Sequence, residues 1–448
     1  MKLGIVIQHY DARNDVRDLV ELLAREHDVV LFGAEEKLRD IKASCEMRAF
    51  RQKKRLSDRL WLQLFNLFGE LPASRNNFHI TELFKLSTLS PLRRWIASTR
   101  LGLRMRLPSL MSFDFLLDRL AGCDSTPIED IDRFLVITEL SSPAFLARVL
   151  QTGIPVDAYV YSWDHACKHV TFSKRVDRWL VWHEGIAEDL VELQGLPRER
   201  IHVVGATQLA YIHEYLARPE LRERRQQGRY IYYGCGVGVI EMARQEARLV
   251  GLLAETLRQV APDVMLIVRP YPMLAETDFF LALRERPSVR FDEDYRQGRK
   301  DRSLTREAIF ERLNLQEHAL AFVHCGTTMG LEGAYFDAPL LFLALEDLDY
   351  GLPPSSDLHL TKFIHQYHNE RYMLAGTLPN VVTRAADLQV ALVRVLDDPW
   401  GARQYNAVLS QRLPLKPLDE IARALVPSKG AIMEANLTGS RTSMKSEG

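Results

Sequence analysis

The stretch LAFVHCGTTMGLEGAYFDAPLLFLAL, residues 320–345, decides how this chain folds. It opens as an apolar, strand-like run, breaks at His324-Cys325-Gly326, and continues with helical spacing until Asp337-Ala338-Pro339 ends the helix. A second apolar run follows at once, from Leu340 to Leu345. A strand, a glycine turn, a helix and another strand form a βαβ unit, so the sequence predicts a parallel sheet covered by helices.

The turn inside this stretch has the composition of an anion-binding loop. Gly326 lets the backbone come close to a ligand. Thr327 and Thr328 stand at the predicted helix start, where unpaired N–H groups and the helix dipole favour phosphate. Glu332 lies one helical turn further on, where a solvent-facing carboxylate can accept two ribose hydroxyls. The alternative is an ordinary βαβ unit in which His324 is a satisfied core residue.

At these residues the chain resembles the GT-B glycosyltransferases. In that family a His-Cys-Gly run and a later Glu hold the diphosphate and ribose of a nucleotide sugar, and His324, Gly326 and Glu332 match them here. The family motif usually continues to an acid-Gln pair for the sugar hydroxyls, where this chain has Glu346-Asp347. The resemblance implies an α/β fold of two Rossmann-like, doubly wound domains facing across a cleft, with a nucleotide-sugar donor as co-substrate and no divalent metal.

Composition narrows the class of protein. The chain has 448 residues, 26% charged and 47% hydrophobic, with a formal net charge of -1, which suits two or three domains with full cores. A near-neutral charge without a long basic block argues against nucleic-acid binding. The five cysteines include no CxxC pair, so a metal framework or disulfide scaffold is not expected. No apolar run reaches the roughly 18 residues that cross a bilayer, and we expect a cytoplasmic protein.

Strands and helices alternate in the first part of the chain, which predicts a mainly parallel, doubly wound acceptor domain over residues 1–216. His9 and Asp11 follow the first predicted strand and therefore stand at its carboxyl edge. In the GT-B enzymes that this chain resembles, an inverting base often stands in this loop. His9, assisted by Asp11, is therefore our first candidate for a general base, with Glu139 and Asp164 behind it.

A second motif lies at Ser162-Trp163-Asp164-His165, SWDH. Together with RWLVWHEG and RERIHVVGA further along, it resembles a pattern of bacterial surface-polysaccharide transferases of GT-B type, in which SWDN is more usual. That resemblance implies a glycan or lipid-linked acceptor. The alternative is that Ser162 and Asp164 only cap the helix that follows.

The alternation is lost between about residues 38 and 128, which predicts a helical insertion. Within it, residues 92–107 read LRRWIASTRLGLRMRL. Apolar residues share one helical face and arginines lie largely opposite: Leu92, Trp95, Ile96 and Leu103 against Arg93, Arg100 and Arg104. Such a helix can lie on the anionic inner face of a cell membrane. We favour the alternative that the insertion caps the N-terminal sheet and its arginines are solvated.

A second alternation predicts a donor domain over residues 217–427, before a polar tail, 428–448, that we expect to be disordered. Gly236 and Gly238 follow its first strand, where a loop approaches phosphate, and Arg269 and Tyr271 leave the next strand toward the diphosphate. A helix beyond residue 353 carries three histidines, but no acidic or cysteine partner is close in sequence, so we expect no metal site. The last helix, 418–425, is expected to cross back to the first half.

The sequence therefore predicts a metal-independent glycosyltransferase of surface-glycan assembly, acting on lipopolysaccharide, capsule or glycoprotein. Three alternatives share the fold. One is a non-hydrolysing nucleotide-sugar 2-epimerase. Another is a cytidine-nucleotide-dependent transferase of an acidic sugar or of glycerol phosphate, and the third is a non-catalytic nucleotide-binding subunit.

Overall fold

The structure is a computed structural model. It describes residues 1–7, 14–38, 44–53, 55–71, 75–87, 89–120, 122–137, 143–168, 172–225, 228–236, 238–271, 274–292, 305–366, 371 and 380–426. Among the predicted site residues, His9, Asp11 and Glu139 lie outside these ranges.

A seven-stranded parallel sheet forms the core of the first half, in the order β3-β2-β1-β4-β5-β6-β7 within the described residues. Its strands are β1 Lys2–Val6, β2 Asp28–Gly33, β3 Glu46–Ala49, β4 Arg133–Ile137, β5 Val156–Tyr159, β6 Arg178–Val181 and β7 Ile201–Val203. The central strands are buried almost throughout, as expected for a parallel sheet with helices on both faces. The strand order reverses between β1 and β4, which is where doubly wound sheets bind ligands.

Helices cover this sheet and form the insertion beside it. They are α1 Asn14–Glu26, α2 Glu35–Leu38, α3 Leu56–Phe68, α4 Arg75–Ser87, α5 Pro91–Arg106, α6 Phe113–Leu120, α7 Pro143–Thr152, α8 His165–Lys168, α9 Glu184–Gln194 and α10 Ala210–Leu216. Helix α5 agrees with the helix predicted over residues 92–107 to within one residue at each end.

The insertion differs from the prediction in two ways. It contains strand β3, which pairs in parallel with β2 but has an exposed, polar sequence that gives no strand signal. Our preferred interpretation of α5 is wrong for its apolar residues, whereas four of its arginines, Arg93, Arg94, Arg100 and Arg106, are exposed as expected. The apolar residues that we expected to cap the sheet are exposed, and Leu101 is the buried residue of that helix. Arg104 is not solvated, because its guanidinium lies over the Phe78 ring at 5.0 Å.

A second parallel sheet forms the core of the other half, in the order β10-β9-β8-β11-β12-β13 within the described part of the chain. Its strands are β8 Tyr230–Gly234, β9 Met265–Arg269, β10 Val289–Phe291, β11 Phe322–His324, β12 Leu340–Leu343 and β13 Val381–Val382. Here the order reverses between β8 and β11. Two doubly wound parallel sheets in succession are the predicted GT-B architecture.

The helices of this half are α11 Ile240–Val260, α12 Asp278–Arg284, α13 Arg306–Glu317, α14 Thr328–Gly333, α15 Leu360–Gln366, α16 Leu388–Asp397, α17 Pro399–Ala402, α18 Gln404–Arg412 and α19 Leu418–Leu425. As predicted, α19 returns to the first half, where it packs on α1 and the Leu425 carbonyl accepts from Arg178. Within the described residues, no helix combines the length and apolarity needed to cross a membrane.

Candidate functional site

Two loops leave the second sheet at its reversal point. Strands β8 and β11 are neighbours, with Tyr232 opposite Phe322, and β9 lies on the other side of β8. The chain leaves β8 through residues 235–239 into α11, and it leaves β11 through residues 325–327 into α14. Both loops therefore start at the same carboxyl edge, where α/β proteins bind ligands.

The two loops touch backbone to backbone. A Cβ atom on Gly236 would lie 2.5 Å from the Gly326 carbonyl oxygen and 2.7 Å from the Thr327 Cβ. Gly326 has a φ of 111°, a backbone conformation that residues other than glycine rarely adopt. Both predicted glycines are thus required by the fold, and their contact brings two predicted phosphate-binding segments together.

A buried carboxylate links these loops from beneath. Glu246 of α11 is fully buried, and its Oε1 accepts from the Gly236 N–H at 3.1 Å, the Tyr233 hydroxyl at 3.2 Å and the Cys325 thiol at 3.2 Å. The sequence analysis missed Glu246. The sequence did contain a sign of this role, because the apolar spacing of α11 places Glu246 on the buried face of the helix, where a carboxylate is unusual.

His324 lies inside the sheet rather than in the cleft. Its ring is fully buried between Phe322 and Phe342, and a Cβ on Gly330 would lie 2.4 Å from it. Burial lowers the pKa of this imidazole to about 3, so the ring is neutral at pH 7. Its Nδ1 accepts from the Gly326 N–H at 3.2 Å, which leaves the proton on Nε2. Among the described residues, Nε2 has no hydrogen-bond partner. His324 therefore holds the loop, and a direct contact with phosphate stays a prediction.

Arg269 has a protein partner. It leaves β9 as predicted, but it is 5% exposed, and its Nη1 donates to Asp292 Oδ2 at 2.7 Å. The Tyr232 hydroxyl donates to the same oxygen at 2.5 Å. Asp292 thus neutralises the charge that we expected to face a diphosphate. Tyr271 is half-buried, and a Cβ on Gly238 would lie 2.9 Å from its ring, so it packs on the glycine loop.

Glu332 does not face solvent, contrary to the sequence analysis. It is 7% exposed, and both of its carboxylate oxygens accept from the guanidinium of Arg312 on α13. Arg312 was missed because α13 is distant in sequence and its buried face includes charged and polar residues. The geometry shows a buried ion pair beneath the site. The proposed contact of Glu332 with ribose stays a prediction.

The two threonines have separate roles. Thr327 is the N-cap of α14, and its hydroxyl accepts from the Met329 N–H at 3.4 Å. Thr328 is half-buried, and its hydroxyl accepts from the indole N–H of Trp163 at 3.2 Å. Because α14 has only 6 residues and α11 has 21, the larger helix dipole at this edge belongs to α11.

The SWDH motif therefore meets the second half. Trp163, which the sequence analysis did not select, is 4% exposed and makes that contact. The Ser162 hydroxyl donates to Asp164 Oδ1 at 2.6 Å, and Asp164 is half-buried immediately before α8. Asp164 is thus next in the chain to the residue that contacts the donor motif, and its catalytic role stays a prediction.

Two further features lie at the edges of the site. Glu346 follows β12, and its 63% exposed side chain lies 3.5 Å from His365 Nε2. Its proposed contact with sugar hydroxyls stays a prediction.

His359 is buried, with Nδ1 2.7 Å from the Thr361 hydroxyl. In the described ranges, no group of three or more His, Cys, Asp and Glu residues is placed to hold a metal ion.

The first sheet supplies a matching edge. Strands β1 and β4 are adjacent, with Val6 opposite Val136. Beneath this edge, the buried Asp15 accepts from the Tyr161 hydroxyl at 2.9 Å and the Thr207 hydroxyl at 2.7 Å. Asp15 was also missed in the sequence. It ties the start of α1 to the segments that follow β5 and β7.

Comparisons with known proteins found similar folds at low identity. No protein-family model matches the chain, and no curated protein sequence does. A structure of a putative UDP-N-acetylglucosamine 2-epimerase from Listeria monocytogenes is 14% identical, with a TM-score of 0.49, over 97% of each chain. The glycotransferase of kitacinnamycin is 13% identical, with a TM-score of 0.47, over 97% of this chain and 98% of the other.

A third structure is UDP-GlcNAc 2-epimerase from Neisseria meningitidis bound to UDP-GlcNAc. It is 13% identical, with a TM-score of 0.45, over 98% of this chain and all of the other. The assignment of a GT-B fold itself comes from the strand orders of the two sheets.

Proposed function

We propose that this protein is a glycosyltransferase that moves a sugar from a nucleotide-sugar donor to a glycan or lipid-linked acceptor of bacterial surface-glycan assembly. The observation that carries the proposal is the contact between the loops of Gly236 and Gly326, which face the Trp163 segment of the other half. Helix α11 begins just after the first of these loops and can offer the N–H groups of its first turn to a diphosphate, and the facing half provides an acceptor surface.

The roles within the donor half follow from burial. Arg269 and His324 are buried, and the N–H groups of Gly236 and Gly326 donate within the protein. We therefore propose that the diphosphate is bound mainly by the N-terminus of α11 and by the hydroxyls of Thr327 and Thr328. Fixed dipoles of this kind stabilise the negative charge that develops on a leaving group. No divalent metal has a role in this proposal, and activity should persist in EDTA.

The acceptor half would supply a base if the reaction inverts configuration. His9 with Asp11 is the first candidate, and Glu139 and Asp164 are the next. The resemblance of the SWDH motif to surface-polysaccharide transferases supports an acceptor of that class.

Ligand binding is the first test. A thermal-shift screen with uridine, cytidine, guanosine and thymidine diphosphates should give one strong increase in melting temperature, because a ligand of the folded state stabilises it by mass action. Gly236→Ala should abolish that increase, since a Cβ at this position collides with the neighbouring loop. The matched control is Gly102→Ala, because a Cβ on Gly102 meets nothing within 4 Å. No response to any nucleotide would contradict the proposal.

Product analysis then separates the alternatives. The protein is incubated with the sugar nucleotide of the selected base, with and without glycan acceptor, in buffer containing EDTA. Transfer that requires acceptor supports the proposal. A new sugar nucleotide without acceptor identifies an epimerase, and binding without turnover identifies a nucleotide-binding subunit. Selective binding of cytidine nucleotides would point to transfer of an acidic sugar or of glycerol phosphate.

A further inference from the structure

Helix α5, residues Pro91–Arg106, carries an apolar stripe on its outer side. The exposed fractions of its members are Leu92 68%, Trp95 69%, Ile96 43% and Leu103 49%. Their spacing places them on one side of the helix, and the buried Leu101 lies on the opposite side, toward the protein. A contiguous exposed stripe that includes tryptophan is characteristic of a surface with a partner.

The charge around this stripe has a single sign. The 16 residues of α5 include five arginines and no aspartate or glutamate. Four of them, Arg93, Arg94, Arg100 and Arg106, are exposed. Arg104 differs, because it donates to the Asn66 carbonyl at 3.2 Å and lies over Phe78. Arg94 lies on the side of Leu101 and donates to the Leu89 carbonyl at 3.2 Å, so the apolar stripe is bordered by the three cations Arg93, Arg100 and Arg106.

The position of α5 relates the stripe to the cleft. Helix α4 packs against α5 and also against α8. Helix α8 begins directly after Trp163 and Asp164. Helix α4 also packs on α15 of the second half. The stripe thus lies one helix away from the segment that faces the donor loops.

We propose that α5 docks this protein on an anionic lipid surface. In this arrangement Leu92, Trp95, Ile96 and Leu103 enter the headgroup region, and Arg93, Arg100 and Arg106 beside them bind lipid phosphates. This pairing of side chains is how interfacial helices bind membranes, and charge complementarity selects an anionic leaflet. The inference goes beyond the proposed function and does not depend on it, since docking requires neither nucleotide nor catalysis.

Co-sedimentation of the full chain with vesicles tests the proposal. One vesicle type contains phosphatidylcholine alone, and the other contains phosphatidylglycerol as well. The charge variant is Arg93→Ser/Arg100→Ser/Arg106→Ser, which spares the packed Arg104. The stripe variant is Trp95→Ser/Leu103→Ser. The matched control replaces three exposed arginines elsewhere, Arg258, Arg290 and Arg423, with serine.

The wild-type chain should sediment with anionic vesicles and release as salt is raised. Each arginine near an anionic surface contributes about fivefold in partition, so the charge variant should bind on the order of 100-fold more weakly, and the control like wild type. The stripe variant should bind weakly at every salt concentration. Equal loss in the control, or equal binding of wild type to both vesicle types, would overturn the proposal.

A second copy of the chain is the rival occupant of the stripe. Sedimentation velocity without lipid tests it, because a self-associating stripe gives a dimer that Trp95→Ser/Leu103→Ser converts to monomer. That result would overturn membrane docking. Circular dichroism spectra that superimpose on wild type confirm that each variant is folded.

Discussion

The indole N–H of Trp163 donates to the hydroxyl of Thr328 at 3.2 Å, although the two residues stand 165 positions apart. Trp163 belongs to the SWDH motif of the first half, and Thr328 to the glycine turn of the second. A direct bond between the two predicted motifs means that the conformation of one affects the other. A neutral hydrogen bond therefore joins the two halves at the cleft.

This bond can be measured by a double-mutant cycle. Trp163→Phe keeps an aromatic ring but removes the indole N–H donor, and Thr328→Val removes the hydroxyl acceptor at nearly the same size. We expect a coupling free energy of unfolding of about 0.5–1.5 kcal/mol in urea titrations, because a neutral hydrogen bond has this net value. Trp95→Phe, on the exposed face of α5, is the control tryptophan. A coupling of zero would mean that the contact does not form in solution.

Glu246 should control the arrangement of both glycine loops. Glu246→Ala leaves the Gly236 N–H, the Tyr233 hydroxyl and the Cys325 thiol without their acceptor. We expect a loss of about 3 kcal/mol in the free energy of unfolding and weaker nucleotide binding. Glu246→Gln retains a carbonyl oxygen and should preserve most of both. If the two variants bind nucleotide equally well, Glu246 does not position the loops.

The buried pair of Glu332 and Arg312 makes a specific prediction about stability. Glu332→Ala leaves an uncompensated guanidinium and should cost about 3–5 kcal/mol, measured by urea unfolding. Arg312→Met should lower the free energy of unfolding by a similar amount, because it leaves the buried carboxylate of Glu332 without its partner.

Glu332→Gln separates the structural role from a ribose contact. It keeps the shape of the side chain, and we expect nucleotide binding to weaken by about 1.5–3 kcal/mol if the carboxylate binds ribose hydroxyls. An unchanged dissociation constant in calorimetry would assign Glu332 to the fold alone.

The burial of His324 should make the free energy of unfolding depend on pH. Burial lowers the pKa of this ring from 6.5 to about 3, so between these values the unfolded chain binds a proton that the folded chain does not. The free energy of unfolding should therefore fall as pH is lowered below about 6.5, and by pH 5 this ring should cost about 2 kcal/mol. Burial, together with the nearby charges of Arg412 and Arg371, lowers the pKa of His183 to about 4. Protonation of His183 at low pH should therefore also reduce the free energy of unfolding.

Urea unfolding at pH 7 and pH 5 checks this expectation. His324→Gln should reduce the loss of stability between the two pH values, because the variant side chain does not titrate. The exposed His213 provides the control, His213→Gln, which should leave the loss unchanged. A loss that persists in His324→Gln would place the acid sensitivity elsewhere.

His9 remains the first candidate for a base. We expect His9→Ala to lower turnover by about 10²–10⁴ and to leave the dissociation constant of the donor nearly unchanged, because a general base acts in the transition state. Turnover with saturating donor and calorimetry with the nucleotide separate the two quantities. If both fall together, or neither changes, Glu139→Gln and Asp164→Asn are the next variants.

By itself, the sequence determined the two alternating halves, the parallel sheets and the glycine turns. These features are local, since apolar runs, helical spacing and glycine at a turn are visible in neighbouring residues. Strand β3 was not predicted, because an exposed edge strand lacks the apolar run that is typical of a buried strand.

Only the tertiary structure decided which polar residues face the cleft and which support it. Arg269, His324 and Glu332 carry the residue types of a phosphate and ribose site, but all three are buried. Arg269 is bound to Asp292, Glu332 to Arg312, and the His324 ring stacks on Phe342 of the next strand. Trp163 and Glu246 gained their roles in the same way. The reason is physical: a buried charge or N–H group must find its partner in space, and that partner's place in the chain leaves no local pattern in the sequence.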